Sequence, residues 1–87
     1  MKTVTVNATM QNGSGFGVFV KVGNHSLYFD KSGSQNAQVE PGKYNAVVGG
    51  HEPSNATVTI SLKNDGKDLG SQTFSTPSFF GFIPFTL

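Results

Sequence analysis

TVTVNATM, residues 3–10, decides the fold. Val4, Val6, Ala8 and Met10 alternate with Thr3, Thr5, Asn7 and Thr9, so side chains of opposite character leave the backbone on opposite sides. Such a period of two makes a strand with one face on a core and the other in water. A helix needs apolar residues three and four apart, and no window of the chain offers that spacing. NATVTISLK, residues 55–63, repeats the design, with Ala56, Val58, Ile60 and Leu62 set against Asn55, Thr57, Thr59, Ser61 and Lys63. Helix formers are scarce while Val, Thr and Phe abound. The chain reads as all-β.

Working outward, five further strands follow. Residues 15–22 put Phe16, Val18, Val20 and Val22 on one face and Phe19 on the other; 25–30 carry Leu27 and Phe29 opposite Tyr28. Residues 43–48 turn Tyr44, Ala46 and Val48 inward, 68–75 form a weaker strand around Leu69 and Phe74, and 79–87 supply the last. Between them NGSG (12–15), GN (23–24), KSGS (31–34), GGHEPSN (49–55) and NDGK (64–67) place Gly or Asn where φ must be positive. Asp65–Gly66 is the strongest hairpin signal. About seven short strands with frequent turns predict an antiparallel β-sandwich, immunoglobulin-like or similar, with a small closed barrel as the competing architecture.

VEPGKYNAVV, residues 39–48, is the most legible connection. Pro41 fixes φ at the first corner of a type II turn and Gly42 is expected to supply the positive φ at the second. Tyr44 then opens a strand with its ring half covered and its hydroxyl near water. The stretch resembles the V-x-PG-x-Y-x-x-x-V segment of bacterial immunoglobulin-like and transthyretin-like accessory modules. The resemblance covers about ten residues of the chain. It implies a non-catalytic appendage of a cell-surface or secreted protein, and it brings no functional residue with it.

Composition narrows the function classes. At 87 residues the chain is one small domain, residues 1–87. Without cysteine it has neither disulfides nor thiolate metal sites. Six lysines, no arginine and five acids leave a formal charge of +1. With no guanidinium fork and no dense Lys cluster, nucleic acid is not an expected partner. No apolar run is long enough for a membrane-spanning helix, and the alternating N-terminus lacks the continuous apolar stretch of a signal peptide. An extracytoplasmic setting would then require a leader removed beforehand.

Candidate chemistry is sparse. His25 and His51 sit at separate turns, and a metal site would need them joined by a carboxylate such as Asp30 or Glu52; no metal or other cofactor is expected. NDGKD (64–68) lacks the alternating carboxylates and closing Glu of a calcium loop. GSGFG (13–17) is neither a nucleophile elbow nor a phosphate loop, since both need a following helix. Asn-x-Ser/Thr triplets at Asn7, Asn12, Asn24 and Asn55 reflect a Thr/Asn/Ser-rich surface. Enzymatic activity is not expected, because no convergent polar site is visible.

The tail, PSFFGFIPFTL (77–87), is apolar on both faces: Phe80 and Phe82 on one, Phe79, Ile83, Phe85 and Leu87 on the other. The leading expectation puts Phe80 and Phe82 in the core, with the last residues folded over the end of the sandwich. The competing one makes part of the tail, through Phe79, Phe80, Phe82 and Phe85, an exposed patch or free edge for self-association or docking. The sequence thus predicts a non-catalytic interaction or structural module. Carbohydrate binding through stacking on Phe19, Tyr28 or Tyr44 beside Asn and Gln is the second reading. A small inhibitor or hydrolase using the 49–55 loop is the third.

Overall fold

The computed structural model describes residues 1–11, 17–51, 57–75 and 78–87. Among these residues run eight strands and no helix: β1 (Lys2–Gln11), β2 (Gly17–Val22), β3 (His25–Phe29), β4 (Gly33–Val39), β5 (Lys43–His51), β6 (Thr57–Asn64), β7 (Lys67–Phe74) and β8 (Ser78–Thr86). They form two antiparallel four-stranded sheets, β4-β1-β6-β7 and β3-β2-β5-β8. Neither sheet joins the other by a backbone ladder among the described residues, so the molecule is a sandwich and not a closed barrel.

The alternation of β1 and β6 is realised as read. Val4, Val6, Ala8, Val58, Ile60 and Leu62 are buried, while Thr5, Asn7, Thr59 and Ser61 face outward beside one another in the β1–β6 ladder. Val18, Val20, Val22, Phe29, Ala46 and Val48 answer them from the second sheet. Burying these branched side chains in a dry interior is the dominant stabilising term, at roughly 1.5–3 kcal/mol per Val, Leu or Ile. Phe16 and Ala56, expected to extend β2 and β6, lie outside the described residues, as do NGSG (12–15) and residues 52–55.

Three expectations are corrected. KSGS reads as a turn, yet Gly33 already begins β4, an eighth strand not anticipated from the sequence. GSQNAQV holds two apolar residues, Ala37 and Val39, which is enough for an edge strand paired on one side, to β1. GGHEPSN also reads as a turn, yet Gly49, Gly50 and His51 continue β5 against both β2 and β8. Gly50 passes so close to β2 that a Cβ there would stand 2.2 Å from the Gly17 carbonyl oxygen. Glycine serves close approach here, and turning is not its role.

The third correction concerns Pro41–Gly42. Gly42 has φ 159°, far from the second corner of a type II turn. Its amide donates to the Leu87 carbonyl at 3.2 Å and its carbonyl accepts from the Leu87 amide at 2.8 Å, so it prolongs the β5–β8 ladder. The direction change is held instead by Tyr44, whose hydroxyl donates to the Glu40 carbonyl at 2.8 Å. This is the tyrosine corner, a phenol tying the start of a strand to the backbone just before it. Asp65 and Gly66, with φ 51° and 80°, form the β6–β7 hairpin turn as expected.

Candidate functional site

Register across the second sheet brings its outward-facing aromatics together. Phe19 on β2 pairs with Tyr28 on β3 and, on its other side, with Gly49 on β5; Gly49 in turn pairs with Phe80 on β8. Tyr28, Phe19 and Phe80 therefore lie on one line across four strands. Phe82 sits two residues along β8, its ring edge-on to Phe80 at a centroid distance of 5.4 Å. All four are exposed: Phe19 43%, Tyr28 63%, Phe80 64% and Phe82 53%.

Glycines shape this surface. A Cβ on Gly49 would come within 2.8 Å of the Phe19 ring and 3.3 Å of the Phe80 ring, so both rings lean in over that glycine. A Cβ on Gly17 would meet the Tyr28 hydroxyl at 2.7 Å. Rings laid over strand glycines on neighbouring strands cover exposed backbone and flatten the face. The outcome is a shallow aromatic platform floored by Gly17 and Gly49. Its margin holds exposed Ser26, Lys21, Asn45 and Thr86.

The tail residues divide differently from the leading expectation. Phe80 and Phe82 are on the outside, while Ile83 and Phe85 are buried, with Phe85 4% exposed and stacked on Tyr44 at 5.4 Å. Phe79 is half-buried and stacked on Phe74 at 4.6 Å. Phe79 and Phe85 thus belong to the interior side of β8, leaving Phe80 and Phe82 as its surface aromatics. The reason lies in the pairing: the unbroken β5–β8 register turns the odd-numbered residues of β8 toward β7, where Phe74 and Gly70 receive them.

Tyr44 is withdrawn from the platform as well, because its ring packs on Phe85 and its hydroxyl is engaged by Glu40. Phe19 and Tyr28 remain of the three stacking candidates. The amides and hydroxyls that would accompany them lie mostly on the opposite side of the molecule. There Thr5 donates to Asn36 at 2.9 Å, Gln38 donates to Thr3 at 2.8 Å, Ser34 bonds Asn7, and Thr59 meets Thr73 at 3.0 Å. That polar face satisfies itself.

His25 and His51 are placed at opposite ends of β2, opposite Val22 and Gly17 respectively. His25 Nε2 lies 2.8 Å from the Gln38 carbonyl oxygen. No group of three metal-ligating side chains occurs among the described residues. A depression of about 570 Å³ lies between Lys43, Tyr44, Lys67, Leu69, Pro84 and Phe85. Among the described residues that line it, Asp68 is the sole carboxylate and none is His, Ser or Cys.

Sequence reading named Phe19 and Tyr28 as candidate exposed rings, but its leading expectation put Phe80 and Phe82 in the core, and it gave neither the register the four rings share nor the part played by Gly49. The signal available was a glycine pair at the end of a strand, and that is also what a turn looks like. No family model, no curated protein and no solved structure matches the chain.

Proposed function

We propose that the protein is a non-catalytic association module that docks through the outer face of the β3-β2-β5-β8 sheet onto an apolar protein surface. The observation that supports this reading most is the contiguous exposure of Phe19, Tyr28, Phe80 and Phe82 on one flat face. Aromatic surface of that extent, gathered on a small domain, favours burial against a partner. Three of the four rings are phenylalanine and have no polar handle, which suits a dry contact better than a wet one.

Carbohydrate binding is the weaker reading. Sugar stacking asks for amides and hydroxyls beside the rings, and here the dense Asn, Gln and Thr array lies on the other sheet, bonded to itself. The test is amide chemical-shift mapping of labelled protein in two series, one over its own concentration and one against neutral gluco-, xylo- and chito-oligosaccharides. Shifts at Phe19, Tyr28, Phe80 and Phe82 that grow with protein concentration and ignore sugar are the expected result. Sugar-induced shifts at those residues would transfer the site to the glycan reading. Silence in both series sinks the association module.

A further inference from the structure

We infer that β8 pairs edge to edge with β8 of a second copy of this chain, around a two-fold axis at Gly81. The inference rests on the association reading above, names a second copy as the partner, and places the contact at the β8 edge of that sheet. Gly42 and Leu87 exchange both of their backbone hydrogen bonds. In an antiparallel ladder the amide and carbonyl of one residue point to the same side, and those of the next residue to the other. The β5–β8 register runs without a shift from Lys43↔Thr86 to His51↔Ser78. Leu87, Phe85, Ile83, Gly81 and Phe79 therefore bond to β5, and the even-numbered residues aim their backbone groups at the open edge. Pro84 obeys this parity, because its missing N–H falls where no ladder bond is lost.

Among the described residues, the amides and carbonyls of Phe80 and Phe82 have no ladder partner, and these are the same residues whose rings are exposed. The other three outer strands are each treated differently. At the β3 and β4 edges, the Gln35 side-chain amide donates to the Tyr28 carbonyl and His25 bridges to the Gln38 carbonyl. β7 carries Lys67 and Asp68, and its pairing with β6 is broken by a register shift at Leu62/Lys63. Charges and irregular backbone of this sort protect an edge from pairing. β8 has nine residues and no charged side chain, with Pro84 as its one interruption.

The register follows from self-complementarity. Centred on Gly81, Phe80 of each copy faces Phe82 of the other, so two residue pairs each exchange both backbone bonds and two aromatic pairs form on the same face. Centring on Phe82 would set Phe80 against Pro84, which has no N–H to return, and leave a single ring pair; centring on Phe80 would set Phe82 against Ser78 and likewise leave one ring pair in place of two. The contact is isologous and uses up both β8 edges, so it closes at two copies. It joins the two sheets into one of eight strands and runs the aromatic line across both molecules. With two half-exposed rings per copy the interface is at the small end of specific contacts, which implies a concentration-dependent dimer.

The experiment combines sedimentation equilibrium of the full chain, from micromolar to millimolar, with amide hydrogen exchange at Phe80 and Phe82. A monomer–dimer equilibrium is expected, with the two amides at least about tenfold better protected in the dimer. Phe82→Pro removes one edge amide without touching the β5 ladder and is expected to weaken dimerisation at least about tenfold. Phe82→Lys serves the same purpose should the proline variant fail to fold. Under oxidation the Phe80→Cys/Phe82→Cys double variant is expected to give a doubly cross-linked dimer. A dimer indifferent to Phe82→Pro and Phe82→Lys but lost in Phe19→Ser/Tyr28→Ser packs face to face; that overturns the edge register and leaves the association reading standing. A strict monomer at millimolar concentration, with unprotected Phe80 and Phe82 amides, overturns both.

Discussion

Tyr44 shows how much one side chain decides at the residue scale. Its hydroxyl closes the β4–β5 corner on the Glu40 carbonyl and its ring packs on Phe85. Tyr44→Phe keeps the packing and removes the bond, so urea unfolding is expected to register a loss of about 1 kcal/mol. Glycines give a sharper contrast. Gly50→Ala drives a Cβ into the backbone of Gly17 and Val18, where nothing can move aside, and the variant is expected to lose roughly 3 kcal/mol or more or fail to fold. Gly33→Ala meets nothing within 4 Å and is expected to stay within about 0.5 kcal/mol of the parent. The sequence flagged Tyr44 as a strand opener but gave no means of ranking these glycines, because what crowds a glycine is a strand distant in the chain.

Strands were legible where the two faces differ in chemistry and obscure where they do not. β1 and β6 alternate cleanly, and their buried residues follow from the pattern. The β6–β7 hairpin was equally plain, since Asp65–Gly66 supplies two consecutive positive φ values at little cost. Gly66→Ala, at φ 80°, is expected to destabilise by about 1–2 kcal/mol although no atom lies near the new methyl, with the denaturation midpoint as the readout. β4 went unread because an edge strand covered on one side needs few apolar residues. β8 was ambiguous because either face could have been the inner one. Its observed parity makes an element-level prediction: Phe80→Ser with Phe82→Ser should leave the unfolding midpoint nearly unchanged, whereas Phe85→Ser alone should cost about 3 kcal/mol or more.

For the whole molecule, the strand order sets the kinetics. β1 pairs with β4 and β6, and β5 with β2 and β8, so most ladders join strands far apart in sequence. Loops must close before those pairs form, and refolding is expected to take between about a millisecond and a few seconds, as stopped-flow fluorescence of the tyrosines would show. A domain of this length has a total stability of roughly 4–13 kcal/mol. Ile60→Ala, in the fully buried centre of β6, is expected to remove about 2–5 kcal/mol of it.

By itself the sequence determined that the chain is all strand and which side chains of β1 and β6 face inward, because alternation is local and a period of two has one geometric meaning. The tertiary structure alone decided which face of β8 is covered and that Phe19, Tyr28 and Phe80 share a line. Those outcomes depend on strand order and register, which are settled by pairing between segments tens of residues apart. When both faces of a strand are apolar, no pattern within the strand can say which one its neighbours will bury.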